Sequence, residues 1–320
     1  MARIKNELSW SRTRISTFET CPRAYYYQYY LKWGGWNWDA PDDSRQAYFF
    51  TKMTNIPMLV GLGVHETIRD MLRSVRDTGR CTIENPADHV RRNILSKVWR
   101  DAKKELWRKS AKNHPPVFEL YYGSAPSPEE LKRAGAHAAR CIENFAKSEL
   151  FRELQNEEHR RWLAVDEEPS FDESSKLKLD DRTIWALPDF AREKDGHCEI
   201  WDWKTGRRSP HDQAQLLSYA LYARDRWGYA PDRIRLMAFY LADDEIGEYP
   251  CNAEELAAIE TKIRDDFLRM EELLEDKENN IPLKDVERAF PMIENGPACE
   301  NCFYKELCGR GRYAGPPASP

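Results

Sequence analysis

The segment Ile200-Trp201-Asp202-Trp203-Lys204-Thr205-Gly206 restricts the possible folds of this chain more than any other. Ile and Trp favour extended backbone. Side chains two apart on a strand share a face, so Asp202 and Lys204 project together. Ile200, Trp201 and Trp203 make the strand apolar on both faces, and such a strand belongs inside a sheet covered on both sides. Taken alone, Asp202 and Lys204 also fit an exposed edge strand, but a buried strand does not carry a carboxylate and an ammonium without a reason. Shortly upstream, Leu187-Pro188-Asp189-Phe190 offers Asp189 from a neighbouring strand. Two converging carboxylates bind a hard divalent cation through oxygen and leave positions for water and a phosphate oxygen. Lys204 would orient the attacking water or stabilise charge developing on the phosphate.

The surrounding pattern predicts an α/β chain. Short alternating or apolar runs at Trp162–Val165, Lys176–Leu179, Thr183–Phe190, Cys198–Trp203 and Ile234–Leu241 read as strands. The amphipathic segment Gln213–Arg226 reads as a helix before the last of them. A charged amphipathic helix is predicted from Ala253 to Lys277. Residues 11–33 open on Ser and Thr capping candidates and predict a helix bent at Pro22. Gly34 to Asp43 reads as a loop, Gly61 to Arg76 as a helix, and the chain from there to residue 160 as almost wholly helical. The organisation expected is one domain over 1–310: an N-terminal element 1–60, a helical region 61–160, a catalytic core 161–250, and a C-terminal helix and cysteine segment 251–310. A disordered tail, 311–320, follows.

The formal net charge is -5, so nucleic-acid contacts must be local. Arg91, Arg92, Lys97, Arg100, Lys103, Lys104, Arg108, Lys109 and Lys112 form the best basic concentration, although a solvated helix face gives the same pattern. Trp33, Trp36 and Trp38 could stack on unpaired bases or cover the core beneath their loop; Tyr25–Tyr30 read as packing. The chain has no apolar run long enough to cross a bilayer, and its N-terminus lacks an apolar signal segment, so a cytoplasmic location without membrane attachment is expected. In that reducing compartment the eight cysteines are not expected to form disulfides. Cys81, Cys141, Cys198 and Cys251 are scattered and read as small buried hydrophobes. Cys299, Cys302 and Cys308 form a C-x2-C-x5-C run, and Cys21 stands alone near the other end. Four soft thiolates suit zinc or an iron–sulfur cluster, and spacing alone does not choose between them.

Pro188-Asp189 with Asp202-Trp203-Lys204-Thr205-Gly206 resembles the PD-(D/E)xK signature of the RecB-like nuclease family. Gln215-Leu216-Leu217-Ser218-Tyr219 resembles its QxxxY motif, which puts Gln215 and Tyr219 one turn apart on one helix face; Gln213 is the alternative for the polar role. Gly61-Leu62-Gly63-Val64-His65 resembles its GxxxH element, in which a histidine approaches the same metal. Ser16 to Arg23, followed by a tyrosine run, resembles the family's opening element. One remote N-terminal cysteine joined to a C-terminal triplet is similar to the iron–sulfur clasp of AddB-type and CRISPR-associated RecB-like nucleases, where the cluster is [4Fe–4S].

The likeness covers both ends and the catalytic core, but not the helical middle. It implies a restriction-endonuclease-like core, a mixed central sheet flanked by helices, with a helical insertion and a clasp joining the N- and C-terminal regions. It implies Mg2+ or Mn2+ held by His65, Asp189 and Asp202, with catalytic roles for Asp189, Asp202, Lys204, Gln215 and Tyr219. It further implies a [4Fe–4S] cluster on Cys21, Cys299, Cys302 and Cys308. Glu168, in the acidic run Asp166-Glu167-Glu168, is a candidate further carboxylate. The activity implied is metal-dependent hydrolysis of DNA, as an exonuclease on single-stranded ends that leaves 5′-phosphates. The alternative is a DNA-end-binding or assembly subunit that needs a partner for cleavage. No GxxxxGK[ST] loop occurs, so a helicase or other DNA-processing protein would be a separate chain.

Overall fold

The structure is a computed structural model and describes residues 5–166 and 176–315. Its strands include, in chain order, β1 (Ser9–Trp10), β2 (Trp162–Val165), β3 (Leu177–Leu179), β4 (Arg182–Ile184), β5 (Phe190–Lys194), β6 (His197–Lys204), β7 (Ile234–Tyr240) and β8 (Glu245–Tyr249). Five of them form a mixed central sheet in the order β2-β5-β6-β7-β8. β6 is antiparallel to β5 and parallel to β7, and the helix Asp212–Trp227 makes the crossover that a parallel pair requires. A second sheet, β1-β4-β3, ties the N-terminal strand to the core, where Trp10 Nε1 donates to Asp266 Oδ2 at 3.0 Å.

The alternation read in β6 sorts the core into two layers. Cys198 and Ile200 pack with Leu216, Ala220, Ile259, Ile263 and Phe267 on one face. Those residues come from Asp212–Trp227 and the helix Ala253–Glu271. Trp201, Trp203 and Phe190 pack with Val64, Ile68, Ile142 and Phe145 on the other face, from the helices Ile56–Thr78 and Pro128–Lys147. Flanking helices therefore cover both faces, as a strand apolar on both sides demands. Ile56–Thr78 starts on Asn55, whose side chain accepts from the Met58 amide, and stops at Gly79, where φ is 77°; only glycine takes that conformation without strain. Pro128–Lys147 opens with a reciprocal capping box between Ser127 and Glu130.

Several predicted spans are corrected. The run Thr183–Phe190 is not one strand: β4 ends at Ile184 and β5 begins at Phe190, and Pro188, lacking an N–H, lies in the gap. The helix over 11–33 divides at Cys21, whose backbone is extended, into Arg12–Thr20 and Pro22–Tyr26; a wide turn, Tyr27–Leu31, continues the second piece. The helix from Ala253 stops at Glu271 rather than Lys277, and a short strand, Leu274–Asp276, follows. Strands β1 and β8 were not anticipated. Residues 311–315, expected in a disordered tail, are docked: the Ala314 amide donates to Tyr121 O at 3.0 Å and Tyr313 packs on Trp107 and Tyr121. Residues 316–320 lie outside the described residues.

The two ends of the chain meet. Arg23, 6% exposed, donates from Nε to Phe290 O at 2.6 Å and from Nη1 to Glu287 Oε1 at 2.8 Å. Tyr25, Tyr26 and Tyr30 surround Phe290, and Tyr27 lies against Tyr304.

Candidate active site

β6 delivers Asp202 and Lys204 to the sheet face covered by Asp212–Trp227. The antiparallel register Phe190↔Trp201 sets Asp189, which immediately precedes β5, beside Asp202. Asp189 Oδ2 accepts the Trp203 amide at 2.7 Å, so its carboxylate is fixed to the backbone of β6. From the opposite layer, His65 Nδ1 comes within 3.3 Å of Asp189 Oδ1. Burial alone would lower the His65 pKa, but Asp189, followed by Asp202 and Asp166, outweighs it and raises the value to about 9.

Asp202 is 2% exposed. Its Oδ1 accepts from Gln215 Nε2 at 3.1 Å and Tyr219 OH at 3.4 Å. Its Oδ2 is 2.6 Å from Lys204 Nζ yet has no directed hydrogen bond among the described residues. Burial, followed by repulsion from Asp189, raises the Asp202 pKa against the opposing pull of Lys204. The Lys204 ammonium is kept charged in turn: burial pulls its pKa down, and Asp202, Asp212 and Asp189 more than reverse this.

Gln215 contacts both charges with one amide. Its Oε1 accepts from Lys204 Nζ at 2.8 Å, and its Nε2 donates to Asp202 Oδ1 and to Tyr219 OH, the latter at 2.6 Å. Gln213, the alternative for that position, bonds Glu255 Oε2 instead. The sequence reading missed Asp212. Its Oδ1 lies 3.7 Å from Lys204 Nζ, and its Oδ2 accepts from Tyr240 OH at 2.6 Å and the Ser209 amide at 2.8 Å. It missed His137 too, whose Nε2 is 2.8 Å from Thr205 O, fixing the loop that leaves Lys204. Within the acidic run, Asp166 adjoins the site: its amide donates to Asp189 O at 2.7 Å and Arg73 Nη2 donates to its carbonyl at 2.9 Å. Burial, then Asp189, raises its carboxyl pKa. Glu168 lies outside the described residues.

Two buried or half-buried carboxylates and a histidine are the donor chemistry of a hard divalent cation. The repulsion between Asp189 and Asp202 is what such an ion would relieve. Among the described residues no three His, Cys, Asp or Glu side chains stand in a finished coordination sphere.

At the other end of the molecule, Cys21, Cys299, Cys302 and Cys308 line one cavity of about 20 Å³, and all four are free thiols. Arg310 Nη1 is 2.9 Å from Cys299 Sγ, and burial pushes the Cys302 thiol up to about 11. Thiolates are soft donors of the kind that bind zinc or iron–sulfur groups, but these four, too, do not stand in a finished coordination sphere. The space itself is little larger than one water molecule needs.

Trp33 and Trp36 meet edge to face, and Trp36 also meets Tyr48; Trp38 is 88% exposed. Arg91, Arg92, Lys97, Arg100, Lys103, Lys104, Arg108 and Lys109 are exposed. Of the four scattered cysteines, Cys141 and Cys198 are fully buried, as hydrophobes would be, whereas Cys81 and Cys251 are only partly buried. No helix among the described residues is long and apolar enough to cross a membrane.

A family model described as the PD-(D/E)XK nuclease superfamily matches residues 9–309. No curated protein and no solved structure matches the chain significantly.

Proposed function

The chain belongs to the PD-(D/E)XK nuclease superfamily, whose members are nucleases using divalent metals such as Mg2+ or Mn2+, and from that premise we propose a DNA exonuclease acting on single-stranded ends. The observation that carries the reading is the convergence of Asp189, Asp202 and Lys204 at one buried point, where Lys204 is the one group paired with Asp202 Oδ2 among the described residues. Asp189, Asp202 and His65 would hold the ion, which when bound polarises the scissile phosphate and makes its water ligand acidic. Lys204, restrained by Asp202, Gln215 and Asp212, presents its ammonium to the attacking water or to a non-bridging phosphate oxygen. Gln215 and Tyr219 hold Asp202 Oδ1, so that Oδ2 would be shared between the ion and Lys204. Trp203's amide fixes Asp189 in the same way.

The preference for an unpaired strand rests on apolar surface beside the site. Met58 and Leu62, each about half exposed, lie on successive turns of the helix face that continues to His65. Such side chains suit bases without partners. Single-stranded linear DNA incubated with the protein and Mn2+ is expected to shorten progressively, while closed circles survive. Nicking of circles would make the protein an endonuclease. No metal-dependent cleavage of any substrate would leave a DNA-binding or partner-activated subunit. Tyr219→Phe removes one hydrogen bond to Asp202 and one to Gln215 while keeping the ring. It is expected to slow cleavage about tenfold, the worth of one such bond to a charged group, with circular dichroism and melting unchanged. An unaltered rate would remove Tyr219 from the machinery.

For the four cysteines the proposal is a [4Fe–4S] cluster, supported by the clasp arrangement of one N-terminal and three C-terminal ligands. The small enclosed space favours a second reading, a single zinc ion, which the thiols would accommodate with less movement.

A further inference from the structure

Two grooves adjoin the site just described. The first, about 600 Å³, is bordered by Thr205 and Gly206, directly after Lys204, and by His137. The second, about 580 Å³, is floored by Leu59, Leu95, Trp99 and Leu131. Ile56, Val60 and Ala134 line both, so they form one continuous channel over the start of Ile56–Thr78. The channel's charge is one-sided: Arg91, Arg100, Lys132, Arg133, Arg140 and Arg207 line it, and Asp243 is the only carboxylate among its described lining residues. Arg91 pairs with Asp88. Arg100, Lys132, Arg133, Arg140 and Arg207 have no carboxylate within ion-pair distance among the described residues. In a chain whose net charge is -5, five such cations along one channel, against a single lining carboxylate, amount to a local anion-binding surface.

The floor decides what kind of anion. A duplex offers phosphates to a protein surface and keeps its bases stacked inside, so a basic rim alone would serve it. An aromatic and aliphatic floor between basic walls serves a strand whose bases are turned inward against the protein. Trp99 has that position: half-buried on Ala102 and Val117, it is held in place while lining the channel. Arg91, Leu95 and Trp99 follow at four-residue intervals and bring one cation and two apolar side chains to the same channel.

We propose that this channel is the track of single-stranded DNA, running from the Thr205–Gly206 turn to a stacking platform at Trp99 and clamped by Arg91, Arg100 and Lys132. The track deepens the nuclease reading and rests on it only for the direction toward Lys204. Binding is therefore measured apart from cleavage, with Ca2+ in place of Mn2+ and the full-length protein.

Fluorescent oligothymidylates of increasing length should bind more tightly until the channel is filled. Trp99→Ala should weaken the longer ones about tenfold and leave the shortest unchanged, and Trp99→Phe should restore them. Arg91→Ala with Arg100→Ala should reduce the slope of log affinity against log salt by about 0.7 for each phosphate no longer neutralised. Should Trp99→Ala fail to fold, Arg100→Glu with Lys132→Glu, both on exposed side chains, should weaken the longer oligomers by more than about tenfold. Wild-type affinity in these variants, or an equal loss on blunt duplex, would overturn the track. Binding with these dependences but no cleavage in Mn2+ would leave the track and remove the nuclease reading. Cleavage that ignores Trp99 and Arg100 would do the opposite.

Discussion

Lys204→Ala is expected to lower metal-dependent cleavage by about 10²–10³-fold, the usual cost of removing one preorganised donor aimed at developing charge, while binding of DNA in Ca2+ stays near wild type. The expectation follows from how thoroughly the ammonium is held. Asp202 Oδ2 at 2.6 Å, Gln215 Oε1 at 2.8 Å and Asp212 Oδ1 at 3.7 Å leave it little freedom, so it needs little rearrangement during the reaction. Lys204→Arg should not rescue activity, because a planar guanidinium cannot occupy a position shaped for a compact ammonium. End-labelled single-stranded DNA with Mn2+, followed over time, is the measurement. Cleavage by Lys204→Ala at the wild-type rate would remove Lys204, and with it the proposed chemistry.

Cys302→Ser is expected to release the metal group and lower the melting temperature by roughly 5–10 °C. Linking Cys21 to Cys308 closes a loop of nearly the whole chain, and by analogy with a long disulfide loop this is worth about 4–5 kcal/mol. Spread over the unfolding entropy of a chain this long, that gives the shift stated. Part of the closure survives without metal, because Arg23 still bonds Phe290 and Glu287. The variant should therefore fold, with a lower melting point. Metal and sulfide analysis of anaerobically purified protein separates the two occupants: four irons with acid-labile sulfide for the cluster, one zinc and no colour for the single ion. Wild-type protein with neither, melting like Cys302→Ser, would rule out the clasp.

The residues read most readily from the sequence depend on local periodicity. Asp202 and Lys204 share a face because strands repeat every two residues, and Gln215 meets Tyr219 because helices nearly repeat every four. Asp212 was missed because an aspartate at the start of a helix looks like an ordinary cap; its place beside Lys204 depends on Tyr240, which arrives from β7. β8 escaped because Glu245-Ile246-Gly247-Glu248-Tyr249 is mostly polar and contains glycine, both weak strand signals. It forms because β7 offers it a partner edge: Phe239 pairs with Ile246 and Tyr240 with Glu245. The helix after Ala253 was drawn too long because Leu274, on the short strand that follows, continues the helical spacing of Ile263, Phe267 and Met270. For the cysteines, spacing marks out Cys299, Cys302 and Cys308 and the resemblance adds Cys21, but the contents of the space between them are a matter of volume, which spacing does not carry.

The bond between Arg23 and Phe290 has a consequence for biosynthesis. Protein chains leave the ribosome from the N-terminus, and the helix bearing Cys21 and Arg23 emerges more than 260 residues before its partners, Glu287, Phe290 and the three later cysteines. Throughout translation, Tyr25, Tyr26 and Tyr30 must wait without the ring they pack against, exposed to any chaperone or aggregation partner nearby. The sheet and both helical layers can be in place before then, so filling of the proposed cysteine site would belong to the end of maturation. A shortage of iron or zinc would then show first as newly made protein that has a sheet but no closed ends.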